Sequence, residues 1–307
     1  MSYDYPPYRP PNEANSALIR LTHGCPWNRC EFCSMYKKTK FKSRPLEEIQ
    51  EDIRTARTIY GASPSIFLGD SDNLVHKNLP EILDLIRASF PETRRITAYA
   101  RAKTILSRKE DFLRRCREAG LDRLHIGLES GDETILKELN KGVEPDEVVK
   151  AGLKAHDAGF ELSFYVLSGA GGLNRWKEHA VNSARALNKI NPEYIRLRTL
   201  TVLRGTSLFE RIEKGEFEVT PPLDRLRELL LFLEELDVNN CFLASDHVTN
   251  YLWIENIPFF QGVNGSLPED KETMLKTIQK AVEIVLDSHA DVKDSNQLYR
   301  EGHLSQL

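Results

Sequence analysis

The sequence predicts an α/β fold, a partial (β/α)6 TIM-like barrel carrying a C-terminal, mostly helical cap. Three observations carry that prediction. Strand-like and helix-like runs alternate from residue 16 onward, and parallel strands need such helical crossovers. The predicted strands are two-faced: Thr97, Tyr99 and Arg101, then His125, Gly127 and Glu129, then Arg196 and Arg198 alternate with Ile96, Ala98, Leu124, Ile126, Leu128, Ile195 and Leu197. A doubly wound sheet covered on both sides reads apolar throughout, so a polar face opposite an apolar one favours a barrel with helices outside. Finally, the chemically distinctive loops all follow strands, and in such barrels the site lies at the C-terminal ends of the strands.

Taken in order, residues 1–15 form a Pro/Tyr/Asn-rich arm, expected to be extended along the surface. The first strand, 17–22, runs into a loop with three cysteines. Pro45 opens a helix on which Ile49, Ile53, Ala56 and Tyr60 recur at helical spacing, and Gly61 ends it. The second strand, 65–68, leads into Gly69-Asp70-Ser71-Asp72-Asn73, and the next helix carries Leu79, Ile82, Leu83 and Ile86. The third strand is 96–101. Ser107 with Glu110 makes a capping-box pattern for the following helix, which Gly120 terminates.

The fourth strand, 124–130, precedes a helix through Ile135, Leu136 and Leu139, and Pro145 starts another through Val148, Val149 and Leu153, closed by Gly159. The fifth strand, 162–167, ends in Ser168-Gly169-Ala170-Gly171-Gly172, and a helix with Ala180, Ala184 and Leu187 leads to the sixth strand, 194–203. Residues 16–204 therefore read as the core. Residues 205–307 read as a cap: a helix over 223–236, a short strand over 240–244, a polar loop over 245–251, a helix over 268–287 and a frayed end.

The chain has 307 residues, 29% of them charged, with a net charge of −4, so no global basic field points to nucleic acid. A short basic run, Lys37-Lys38-Thr39-Lys40-Phe41-Lys42, reads as a solvated loop flank. No apolar run is long enough to span a bilayer, and Tyr and Pro stand where a signal peptide would be apolar, so a cytoplasmic protein is expected. In that compartment cysteines serve metals or catalysis rather than disulfides.

Three of the five cysteines, Cys25, Cys30 and Cys33, fall in Cys25-Pro26-Trp27-Asn28-Arg29-Cys30-Glu31-Phe32-Cys33. Three thiolates without a fourth are an incomplete set, and an open coordination position is where chemistry happens. The residues alone allow zinc, with His23 as fourth ligand, or an iron–sulfur cluster. Cys116 and Cys241 stand alone and read as small buried hydrophobes. His125 reads as a satisfied interior residue, Tyr99 as site wall or core, and His247 with Asp246 and Asn250 as candidates for substrate-side chemistry.

The cysteine loop resembles the cluster loop of the radical S-adenosylmethionine (SAM) superfamily, with four residues rather than the usual three between the first two cysteines. Gly69-Asp70-Ser71-Asp72, Gly127-Leu128-Glu129-Ser130-Gly131-Asp132 with Asn140-Lys141-Gly142, and the glycine loop after the fifth strand extend the resemblance over roughly 16–210. They resemble the subgroup that includes oxygen-independent coproporphyrinogen oxidases and methylthiotransferases. The resemblance implies a 4Fe-4S cluster on Cys25, Cys30 and Cys33 and SAM on its open iron. It places Phe32 beside the adenine, Gly69, Asp70 and Asp72 at the methionine amino group, and Glu129, Ser130 and Gly169 against SAM. Arg101, Arg196 and Arg198 would meet the methionine carboxylate, an anionic substrate or Glu129.

The implied reaction is one-electron cleavage of SAM to a 5′-deoxyadenosyl radical that abstracts hydrogen from a small organic substrate. The implied partner is an electron donor such as flavodoxin or ferredoxin. The rival expectations are a non-catalytic zinc or iron–sulfur protein and a porphyrin-handling relative.

Overall fold

A computed structural model describes residues 8–287 and 291–303. Residues 1–7 of the expected arm lie outside the described residues. The rest of the arm is not simply extended along the surface: Pro11–Glu13 form a 3-10 turn, and Glu13 is buried.

Strand β1 (Ala17–Arg20) is shorter than the sequence suggests, because the chain breaks into a small antiparallel pair, β2 (Thr22–His23) with β3 (Lys42–Ser43), that closes the cysteine-bearing loop at its base. Helix α1 (Leu46–Tyr60) buries Ile49, Ile53 and Ala56, and Gly61 stops it at φ 62. β4 (Ser65–Gly69), α2 (Leu79–Ser89) and β5 (Arg95–Ala100) follow as predicted. The capping box does not form. Ser107 ends a separate helix, α3 (Ala102–Ser107), with its hydroxyl donated to the Thr104 carbonyl, and Lys109 caps α4 (Glu110–Glu118) without a side-chain bond.

Next come β6 (Leu121–Glu129), α5 (Glu133–Glu138), α6 (Pro145–Asp157), β7 (Glu161–Ser168), α7 (Gly172–Ile190) and β8 (Tyr194–Thr199). The sixth predicted strand thus ends at Thr199, not at 203. Beyond it lie α8 (Ser207–Glu213), α9 (Pro222–Glu235), β9 (Cys241–Ala244), β10 (Leu252–Ile254), β11 (Ile257–Phe260), β12 (Asn264–Leu267), α10 (Lys271–Asp287), β13 (Val292–Asp294) and α11 (Ser295–Arg300). Within the end expected to fray, Ser295–Arg300 is a helix with a complete capping box from Asp294 and Gln297, while 304–307 lie outside the described residues.

Among the described residues the main sheet has eight strands in the order β1-β4-β5-β6-β7-β8-β9-β12. β1 runs parallel to β4, β4 to β5, β5 to β6, and β8 to β9, while β12 closes the edge antiparallel to β9. The short strand expected in the cap is therefore a further parallel member of this sheet. A second sheet, β11-β10-β13, was not expected. Its β10–β11 hairpin turns on Glu255 and Asn256, both at positive φ, the geometry a two-residue hairpin needs.

Packing divides the chain into two compact units, one of Met1–Asn28, Met35–Ile126 and Lys150–Ser163, the other of Arg29–Ser34, Gly127–Val149 and Phe164–Leu307. In the first, Ile66, Leu68, Ile96, Ala98, Leu124 and Ile126 are fully buried, as the apolar strand face requires. On the other face Phe67, Tyr99 and His125 stack from three neighbouring strands, with centroids 5.2 Å (Phe67–Tyr99) and 5.9 Å (Tyr99–His125) apart. In the second, α7 packs on α9, and Ala180, Ala184, Phe232 and Leu233 of these helices are buried.

Candidate active site

The polar strand face opens progressively toward the C-terminal ends. Thr97 and His125 are buried, whereas Tyr99, two residues further along β5, is half-buried. Along β6 the same progression ends in half-buried Gly127 and Glu129.

In the first unit the acidic loop after β4 is tied to the entry of the cysteine loop. Asp70 is buried and pairs with Arg20 at 3.2 Å (Nε–Oδ1). Its Oδ2 accepts the Gly24 N–H at 2.9 Å, its own N–H donates to Thr22 Oγ1 at 3.2 Å, and Ser71 Oγ donates to the Gly24 carbonyl at 2.8 Å. Gly24 immediately precedes Cys25, so these bonds fix where the loop leaves the sheet. Asp72 is fully buried, with Oδ2 accepting from Thr104 Oγ1 and Oδ1 lacking any hydrogen-bond partner. Burial pushes its carboxyl up to about 7, against the opposing pull of Thr104 and the Arg101 charge. Arg101 also lies over Trp27 of the cysteine loop, 5.6 Å from the ring centroid.

In the second unit Glu129 stands at the end of β6 with φ 62. Lys141 Nζ donates to its Oε1 at 2.6 Å. That partner is neither Arg101, Arg196 nor Arg198. A side chain at Gly127 would put its Cβ 2.1 Å from Glu129 Oε1, so the glycine leaves the room the pair occupies. The next residues anchor to α7. Ser130 Oγ meets His179 Nδ1 at 2.9 Å, the Gly131 N–H donates to Ser183 Oγ at 2.8 Å, and Asp132 accepts from Arg175 at 2.9 Å and Asn182 at 3.0 Å while capping α5.

The glycine loop after β7 is held from α9. Ser168 Oγ and the Gly169 N–H both donate to Glu228 Oε1, at 2.7 and 2.9 Å. Glu228 is buried, its Oε2 has no hydrogen-bond partner, and burial pushes its carboxyl up to about 7. His179 lies 3.8 Å from it, pushed down to about 4 by burial.

Arg196 lies over Tyr194 at 5.8 Å and Arg198 over Tyr165 at 5.7 Å. His247 is half-buried, and its Nδ1 accepts the Thr249 N–H at 3.3 Å, which leaves the neutral ring's proton on Nε2. Burial, then the Arg198 charge, push it down to about 4, while exposed Asp246 pulls the other way. Arg198 and His247 are thus brought within electrostatic reach. Phe32 packs against the apolar cluster of Ile135, Leu139, Leu167, Ala170, Leu200, Leu208 and Phe217.

All five cysteines are thiols. Cys116 and Cys241 are buried and pushed up to about 12 by burial, which makes them inert. Cys25, Cys30 and Cys33 are half-buried. Among the described residues no group of three His, Cys, Asp or Glu side chains is arranged to hold a metal ion. Cys25, Cys30 and Cys33 supply soft donors of the kind that zinc and iron–sulfur clusters both take.

Sequence reasoning did not find Lys141, His179, Arg175 or Glu228 as members of these networks. Lys141 stood inside a quoted motif, but the fold-back that brings it to Glu129 has no periodic signature. Glu228 and His179 read as ordinary polar positions on amphipathic helices.

Comparison with known proteins agrees with these observations. The Radical SAM superfamily model matches residues 19–184. The heme chaperone HemW of Bacillus subtilis is 20% identical over 300 residues, covering 90% of this chain and 78% of that protein. An uncharacterized protein of Methanocaldococcus jannaschii is 28% identical over 161 residues, 52% of this chain, and the match spans about half, 49%, of that relative's length. Among solved structures, coproporphyrinogen III oxidase (HemN) from Escherichia coli superposes with a TM-score of 0.56 at 15% identity, over 72% of this chain and 52% of that one. The radical SAM methyltransferase TsrM from Kitasatospora setae gives 0.54 at 16% identity, over 66% and 39%. At these identities the likeness shows the fold, the partial barrel that the strand pattern predicts.

Proposed function

This chain belongs to the radical SAM superfamily, and we propose that Cys25, Cys30 and Cys33 hold its 4Fe-4S cluster while the strand ends around them hold SAM. SAM-dependent radical chemistry is the chemistry of this family, and a 4Fe-4S cluster and SAM are its cofactors. A cluster held by Cys25, Cys30 and Cys33 would supply the electron for reductive cleavage of SAM, the radical chemistry that abstracts hydrogen from a substrate.

The observations that support the assignment are two buried anchors, one in each unit. Asp70 fixes the entry to the cysteine loop through Gly24, and Glu228 fixes the glycine loop through Gly169. Glu129, held by Lys141 in a left-handed backbone, is the carboxylate that would receive SAM's polar groups in this reading. Asp72 offers an oxygen without a hydrogen-bond partner at the end of β4, beside Arg101. Arg196 and Arg198 offer guanidinium groups to a carboxylate or phosphate on a small organic substrate. His247, neutral with Nε2 protonated, donates a hydrogen bond on the substrate side, with Asp246 and Tyr99 completing the candidate set. In this reading 16–204 is the core and 205–307 supplies substrate-specific surfaces.

Anaerobically prepared protein should carry about four irons per chain and release 5′-deoxyadenosine from SAM when dithionite is added. A chain with Cys25, Cys30 and Cys33 all replaced by Ala should do neither. Colourless protein with stoichiometric zinc overturns the assignment. A second reading, haem or porphyrin handling without turnover, is supported by the likeness to HemW over 90% of this chain. It requires tight haem binding by a cluster-loaded protein that leaves SAM intact.

A further inference from the structure

The basic run beside the cysteine loop is not absorbed by the reading above. Between Ser34 and Leu46 the chain carries Lys37, Lys38, Lys40, Lys42 and Arg44 and no acidic residue, on a protein whose net charge is −4. Arg44 is committed to Asp52 and Glu48. Lys37, Lys38, Lys40 and Lys42 are all exposed. Among the described residues, Lys38, Lys40 and Lys42 have no carboxylate at ion-pair distance.

The segment is held rather than loose. Tyr36 is buried beneath it. Asn28 Nδ2 donates to the Tyr36 carbonyl at 2.6 Å, the Thr39 N–H donates to the same carbonyl at 2.9 Å, and Lys42–Ser43 pairs with Thr22–His23. Next to the lysines Met35 is 49% exposed, an apolar contact within a charged rim. Lys37 follows Cys33 by four residues, which covalent reach alone keeps within about 14 Å.

We propose that this basic segment is the docking surface for an acidic one-electron carrier protein, of flavodoxin or ferredoxin type, that reduces the cluster. The inference rests on the cluster reading. In the step, the carrier loses one electron and the cluster gains one, and no bond is made or broken in the transfer. A small lysine patch with one exposed apolar side chain suits such a partner, because redox complexes are weak, small and electrostatically steered. A surface built for a nucleic-acid backbone would need a basic field that this acidic chain does not supply elsewhere.

The test uses full-length, cluster-loaded protein and an acidic flavodoxin as probe. Calorimetric titration of oxidised flavodoxin should show binding that weakens about tenfold between about 20 and 200 mM salt. In the triple variant Lys38→Glu, Lys40→Glu, Lys42→Glu, binding at low salt should weaken about tenfold or more and its salt dependence should flatten or invert. Flavodoxin-driven formation of 5′-deoxyadenosine should fall in parallel, while dithionite-driven formation stays at the wild-type rate. Wild-type flavodoxin binding and flavodoxin-driven turnover in that variant overturn the proposal. So does an RNA such as bulk tRNA binding the segment where flavodoxin does not. A wild-type chain that cleaves no SAM with dithionite fails the cluster reading instead, and the binding titration still reports on the surface by itself.

Discussion

Glu129 combines a left-handed backbone with a carboxylate only 14% exposed, and such a residue persists only where its surroundings over-determine it. Lys141 is the surrounding group that does so, itself 15% exposed at the side chain. Replacing Lys141 by Ala leaves a mostly buried carboxylate without its donor, which should cost about 1–2 kcal/mol in denaturant unfolding. If Glu129 receives SAM, the same variant should bind SAM about tenfold more weakly, whereas Lys141→Arg should keep most of the affinity. Equilibrium SAM binding to the loaded protein measures this, and unchanged affinity in Lys141→Ala would remove Glu129 from the site. The sequence identified the carboxylate and its need for a cation but looked to the strand arginines. The cation comes instead from the turn after α5, where a helix folds back and no alternation marks the contact.

At the scale of elements, the N-terminal turn seals the closed end of the polar strand face. Glu13 takes a hydrogen bond from Ser16 at 2.6 Å, pairs with Arg95 at 3.2 Å and lies 3.6 Å from His125. Burial works to raise its carboxyl, but the bond from Ser16 and the charges of His125 and Arg95 outweigh it and bring the pKa from 4.5 down to about 2. A carboxylate so lowered contributes stability that is present above its unfolded pKa and lost as pH falls through the folded one, of the order of 3 kcal/mol here. Glu13→Gln should therefore unfold at lower urea than wild type at pH 7. The gap should narrow as pH drops below 4.5 and close near 2; a gap independent of pH would show that the turn acts by packing alone. Helices α1, α2 and α4 to α7, with strands β1 and β4 to β8, were legible because burial imposes periods of 3.6 and 2 on them. The N-terminal turn was not, because its role rests on one glutamate meeting side chains 82 and 112 residues away in sequence (95 − 13 and 125 − 13). Strand β9 was seen but not placed, since four residues carry no information about which sheet they join. The capping pattern at Ser107 failed because 102–107 had a helix of its own to make.

At the scale of the whole molecule, Asp72, Glu228, His179 and His247 pull stability near neutral pH in opposite directions. Asp72 and Glu228 are raised to about 7 from 3.8 and 4.5. Each stays protonated in the folded chain where the unfolded chain has lost its proton, so each makes stability fall as pH rises toward 7. His179 and His247 are lowered from 6.5 to about 4. Each stays neutral in the folded chain where the unfolded chain is protonated, so each makes stability rise with pH up to 6.5. Glu228 and His179, 3.8 Å apart, are thus a protonated acid beside a neutral imidazole rather than an ion pair. Between pH 5 and 6.5 the falling contributions of Asp72 and Glu228 run against the rising ones of His179 and His247. Glu228→Gln keeps an amide oxygen for Ser168 and Gly169 but removes one falling contribution. Relative to wild type, its unfolding free energy should then climb with pH by about 1.4 kcal/mol per unit, roughly 2 kcal/mol across that window. His179→Gln should tilt the other way. Denaturant titrations at a few pH values decide it, and a Glu228→Gln line parallel to wild type would mean that Glu228 ionises in the folded protein as it does in water.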